Sequence, residues 1–81
     1  MKTKYQSYFD FKYKYFNRPE KAKSYRLGQA FLNEHVVDSS MYVTLWNCVD
    51  NRISEKLIYD LIDMYNWDLM KLEIVREIDY E

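Results

Sequence analysis

One glycine and one proline in 81 residues leave this chain few of the residues that make tight turns or break helices. Helices are favoured throughout, and the breaks must be made by Asn and Asp clusters instead. Four such clusters stand out: Asn17-Arg18-Pro19, Asp38-Ser39-Ser40, Asp50-Asn51-Arg52 and Asn66-Trp67-Asp68. They cut the chain into five pieces without a linker, repeat or low-complexity tract, so residues 1–81 read as a single domain.

Ile53 to Tyr65 is the plainest piece. Ile53, Leu57, Ile58, Leu61, Ile62, Met64 and Tyr65 fall on one arc at about 100° per residue, opposite Lys56, Asp60 and Asp63. The spacing predicts an amphipathic helix over about 53–65, with Asn51 or Ser54 at its start. Pro19 to Val37 is expected to be the second main helix, with Pro19 in the first turn and Glu20 at the positive end of the dipole.

The end pieces carry another period. Phe9, Phe11, Tyr13 and Tyr15 alternate with Asp10, Lys12 and Lys14, while Met70, Leu72, Ile74, Ile78 and Tyr80 alternate with Lys71, Glu73, Glu77 and Asp79. Period two predicts strands, and their opposite outward charges would pair if the ends of the chain lay side by side. Met41 to Trp46 is also rich in strand-favouring types. The expected class is α+β and helix-dominated, with two main helices and a small sheet from the terminal segments. An all-α bundle of three to five helices is the alternative, because Trp67, Met70, Ile74 and Ile78 also form a helical stripe.

Charge is divided along the chain. Met1 to Arg26 holds eight bases (Lys2, Lys4, Lys12, Lys14, Arg18, Lys21, Lys23, Arg26) against Asp10 and Glu20, a balance of +6. With twelve bases and thirteen acids in all, four bases and eleven acids remain for the other residues, a balance of −7. Eight of the fifteen aromatic residues also lie in the basic third. Lys4, Lys12, Lys14, Tyr13 and Tyr15 have the mixture that attracts a phosphate backbone and stacks on bases, which makes single-stranded nucleic acid one candidate partner. The near-zero total of −1 argues against it, since long-range attraction is what such binding draws on. Internal pairing of the two halves is favoured.

The single glycine lies in Ser24-Tyr25-Arg26-Leu27-Gly28-Gln29-Ala30-Phe31-Leu32-Asn33, where an ordinary helix former would be expected. Gly28 shares a face with Ser24, Leu27, Phe31, Leu32 and His35, so the close approach of another backbone or ring is the expected reason for it. Arg26, Gln29 and Asn33 line the opposite face at spacings of three and four, a candidate recognition stripe. The element Arg26-Leu27-Gly28-Gln29-Ala30-Phe31-Leu32-Asn33, followed by Leu45-Trp46 to Asp50 and an amphipathic helix, resembles small uncharacterised bacteriophage and prophage proteins with an R-x-G-Q-x-x-x-N pattern. The resemblance spans about Tyr25 to Ile62. It implies a phage-type accessory protein and carries no catalytic residues across.

His35 and Cys48 are each alone of their type, so an internal disulfide is impossible and a metal site would need several carboxylates besides. His35 falls on the buried face and Cys48 has no Gly-rich turn beside it, so both read as structural. Phosphate loops and dinucleotide fingerprints are absent, no apolar run is long enough to span a membrane, and the start is not a signal peptide. The expectation is a cytoplasmic, non-enzymatic protein without cofactors. Nine tyrosines point to binding surfaces, because a phenol must keep its hydroxyl wet or partnered. The expected partner is another protein, with a second copy of the chain among the possibilities, engaged through Arg26, Gln29, Asn33 and the exposed members of Tyr5, Tyr8 and Tyr13.

Overall fold

A computed structural model describes residues 3–77. The elements run β1 (Lys4–Gln6), α1 (Tyr8–Phe16), α2 (Leu27–His35), α3 (Val43–Asn47), α4 (Asn51–Met64) and β2 (Leu72–Ile74), with one-turn 3-10 segments at Glu20–Ala22 and Ser39–Tyr42. The class is α+β with helix dominant. The layout differs from the expected one in the helices and in the sheet.

Phe9 to Tyr15 is helix and not strand. In a run where nearly every second residue is aromatic, period two and period 3.6 are both satisfied, and the ends of the segment decide. Ser7 accepts a hydrogen bond from the backbone N–H of Asp10, and Asp10 also puts a negative charge in the positive first turn. Tyr8, Phe11 and Tyr15 are then buried at helical spacing. Met41 to Trp46 is likewise helical, shared between the second 3-10 turn and α3.

The piece expected as one helix from Pro19 to Val37 is two. Pro19 opens only the 3-10 turn at Glu20–Ala22, and α2 starts at Leu27 after Arg26 adopts an extended backbone. Gly28 therefore lies in the first turn of α2. A Cβ at this position would stand 2.5 Å from the carbonyl oxygen of Leu45 and 2.7 Å from Leu45 Cδ1. The residue is glycine because the backbone of α3 crosses there, as the sequence suggested.

α4 forms where the sequence places it, two residues earlier at its start, and Asp50 accepts from the N–H of Arg52 as its cap. It ends by a Schellman motif. Asn66 takes a left-handed φ of 55°, Trp67 N–H donates to Ile62 O at 2.9 Å and Asn66 N–H to Asp63 O at 3.0 Å.

Segments near the two ends of the described chain do meet. β1 and β2 are antiparallel, with Lys4 opposite Ile74, Tyr5 opposite Glu73 and Gln6 opposite Leu72. The pairing uses the residues before α1, while Ile78, Asp79 and Tyr80 lie outside the described residues. Tyr8 N–H donates to Leu69 O and continues the tie between the ends.

The core gathers one face from each element: Tyr8, Phe11 and Tyr15 of α1, Leu27, Ala30, Phe31 and Leu32 of α2, Leu45, then Ile58, Leu61 and Ile62 of α4, and Leu72. Phe31 meets the rings of Phe11 and Tyr8 edge-on at 5.5 and 6.3 Å. Truncating such a ring to Ala costs about 3–5 kcal/mol. Both buried phenols on α1 find an acceptor, Tyr8 at Glu55 Oε2 (3.0 Å) and Tyr15 at the Tyr25 carbonyl (2.6 Å).

Candidate functional site

Part of the divided charge is paired within the fold. Lys4 pairs with Glu77 at 2.6 Å, Lys12 with Glu55 at 2.8 Å and Lys14 with Glu34 at 2.7 Å. Lys4 holds the Glu77 carboxyl below its ordinary range, and Lys12 does the same for Glu55. Tyr15 is buried against Arg18, whose guanidinium lies 3.9 Å from the ring centre, and burial pushes its hydroxyl pKa up. Of the five residues considered for nucleic acid, Tyr13 alone is exposed without being tied to a carboxylate.

The stripe on α2 is also drawn into the fold. The Gln29 side chain reaches back to the Arg26 N–H at 3.4 Å and closes the first turn. The Asn33 amide donates to the Tyr25 hydroxyl, and the Asn33 carbonyl accepts from Arg76 Nη1 at 3.3 Å. These groups hold the start of α2 and the segment after β2 in place. Tyr8 is a core residue, whereas Tyr5 and Tyr13 are exposed.

His35 is buried with both ring nitrogens engaged. Nδ1 lies 2.7 Å from Glu73 O and Nε2 lies 3.1 Å from Gln6 Nε2. Only one tautomer fits: Nδ1 donates to the carbonyl, and Nε2 accepts from the amide. Burial lowers the pKa of this ring. Gln6 Nε2 also donates to Glu34 Oε1 at 2.7 Å, so one amide joins the buried carboxylate to the buried imidazole. Glu34 Oε2 has no hydrogen-bond partner among the described residues. The cluster is a lock between α2 and the sheet. Cys48 caps the end of α3, and among the described residues no group of three His, Cys, Asp or Glu side chains is placed to hold a metal ion.

The surface left open lies elsewhere. Between the Ser39–Asn47 segment and α4 runs an open cleft of about 290 Å³, lined by Met41, Tyr42, Val43, Thr44, Leu45, Leu57, Asp60, Leu61 and Met64. Met41, Val43 and Met64 on its rim are 74%, 58% and 66% exposed. Asp60 is the one acidic side chain among the described residues that line it. The cleft exists because the apolar arc of α4 is wider than its neighbours cover. Ile58, Leu61 and Ile62 face the core, while Ile53, Leu57 and Met64 lie round to one side, where the five-residue α3 is too short to hide them. The hydroxyls of Tyr42 and Tyr65 meet across one end, and Tyr65 stacks on Trp67 with centroids 5.1 Å apart. The hydrogen bond with Tyr65 pushes the Tyr42 hydroxyl pKa up to about 12.

Sequence reasoning missed the cleft. The α4 arc was legible, but Met41 to Trp46 read as strand, so no groove could be drawn between them. The signal available was the breadth of the arc, which runs from Ile53 round to Ile62. Among the described residues no helix is long and apolar enough to cross a membrane. No protein-family model matches the chain, and neither a curated protein nor a solved structure matches it significantly.

Proposed function

We propose that this chain is a non-enzymatic accessory protein that acts by binding another protein chain through the cleft between α3 and α4. The observation that supports the reading is the cleft itself: an apolar groove with a single acid, bordered by large flexible side chains left in water. Met41 and Met64 suit such a surface, because an unbranched thioether repacks around different shapes. Grooves of this kind take one face of an amphipathic helix, with anchors at i, i+4 and i+7. Asp60 selects for a cation beside those anchors. The resemblance of Arg26 to Asn33 adds a phage or prophage setting to the same reading.

Placing a photo-reactive residue at Val43 tests it in cells. The expected result is a discrete crosslinked product that disappears with Met64→Glu and persists with Lys56→Glu, a charge reversal on an exposed part of α4 outside the cleft. Failure to form any product, or a product indifferent to Met64→Glu, would overturn the reading.

A further inference from the structure

The helix-in-groove arrangement has two halves, and this chain carries both. On α1 the buried set Tyr8, Phe11 and Tyr15 leaves Phe9, Tyr13 and Phe16 pointing outward at i, i+4 and i+7, respectively 56%, 73% and 48% exposed. Three large aromatic side chains in that register on one exposed helical face form an anchor set without a groove of its own. A copy cannot seat this stripe in its own cleft. Tyr8 and Lys12 fasten α1 to Glu55, and Tyr8 packs its ring against Tyr59, whereas the cleft lies along Leu57, Asp60, Leu61 and Met64. At about 100° per residue these are opposite flanks of α4.

Charge agrees with shape. The ion pairs consume Lys4, Lys12 and Lys14, while Lys21 and Lys23 are exposed without a carboxylate partner among the described residues. They sit close to the end of the stripe, because Arg18 bridges α1 to the turn that carries them: Nη1 donates to Tyr15 O at 2.9 Å and Nη2 to Lys23 O at 3.0 Å. On the other half, Asp60 lines the cleft and is in no ion pair among the described residues, whereas Asp63 lies on the flank of α4 beside Tyr59. An aromatic stripe flanked by two lysines and an apolar groove with one acid thus complement each other on two faces of one molecule.

We infer that the occupant of the cleft is α1 of a second copy, with Phe9, Tyr13 and Phe16 in the groove and Lys21 and Lys23 toward Asp60. This rests on the cleft being a protein-binding surface and names its partner. The contact is heterologous, so copies add head to tail until a ring closes or the chain of subunits continues.

Sedimentation of the full-length protein over a wide concentration range tests it, with two variants at exposed positions. Tyr13→Glu spoils the stripe and Met64→Glu spoils the cleft; thermal melts check that both still fold. Wild type is expected to grow in mean mass with concentration, more so at low salt. Each variant alone is expected to associate roughly thirtyfold more weakly or worse. The decisive sample is the mixture. Met64→Glu keeps its stripe and Tyr13→Glu keeps its cleft, so together they form one heterodimer that grows no further. Wild type that stays monomeric throughout, a Met64→Glu variant that self-associates like wild type, or an inert mixture overturns the inference. If the crosslink at Val43 still captures a different protein in a cleft-dependent way, protein binding at the cleft stands and only self-association falls. If it captures nothing, both fall.

Discussion

Glu34 and His35 are neighbours in sequence and share one donor, the amide of Gln6. Their surroundings make opposite demands on charge. Glu34 is fully buried and relies on the Lys14 ammonium at 2.7 Å, whereas His35 is held neutral by burial, with the Glu34 charge opposing that effect and the Lys14 charge adding to it. Removing the partner of a buried charge costs far more than breaking an exposed pair. Lys14→Met is therefore expected to lose roughly 2–3 kcal/mol in urea denaturation, the Gln6 amide retaining part of the support for Glu34. Lys4→Met, which breaks the exposed pair with Glu77, is expected to leave the midpoint unchanged. The histidine gives a pH dependence. Its folded pKa lies below the ordinary 6.5, so as pH falls through that value the unfolded chain takes up a proton that the folded one does not. Stability must then fall with pH in the mildly acidic range, above the region where Glu55 and Glu77 titrate. The melting temperature is expected to drop between about pH 7.5 and about pH 5.5, and His35→Gln to flatten that slope. His35 was placed on a buried face by the sequence. Its partners were not legible, since Gln6 and Glu73 lie far from it along the chain.

Elements with a single admissible period could be read in advance. In α4 the apolar arc fits 3.6 residues per turn alone, and the helix lies where expected. In α1 the aromatic residues fit two periods, and only the Ser7–Asp10 cap separates them, a short-range signal easily outweighed by a run of alternation. The sheet was expected between residues 9–15 and 70–80, from their period-two alternation and opposite charges; it forms from Lys4–Gln6 and Leu72–Ile74, with Lys4 paired to Glu77 while Lys12 and Lys14 turn to Glu55 and Glu34. Gly28 shows how one residue couples two elements. Because it lies in the first turn of α2, replacing it gains little helix propensity, and the added methyl would press on the backbone of α3. Gly28→Ala is expected to lower stability by about 2 kcal/mol, read from the urea midpoint, by pushing α3 away from α2. The same displacement would distort the cleft, since Leu45 forms part of its lining.

For the whole molecule, part of the divided charge becomes a folding arrangement. Its cations on β1 and α1 are tied to acids on α2, on α4 and beyond β2, which fastens the start of the chain to both the middle and the end. Closing β1 on β2 brings together residues 4 and 74, nearly the full length of the described chain, so this contact is expected to form after the helices have packed. Gln6→Ala, which removes the shared donor of the lock, should speed unfolding while leaving the refolding rate within about twofold, as a chevron plot would display. Equal slowing of refolding would place the sheet in the folding nucleus instead.

The juxtaposition of β1 and β2 also has a mechanical side. Lys4 and Ile74 stand opposite each other at the same end of an antiparallel pair, so tension drawn outward from the two strands separates them bond by bond, like a zip, and does not shear all the bonds together. The grip of Gln6 on Glu34 and His35 would be the next to yield. The α3–α4 groove is fastened by other contacts, so a molecule pulled at its ends would surrender its sheet while its groove was still in shape to hold on.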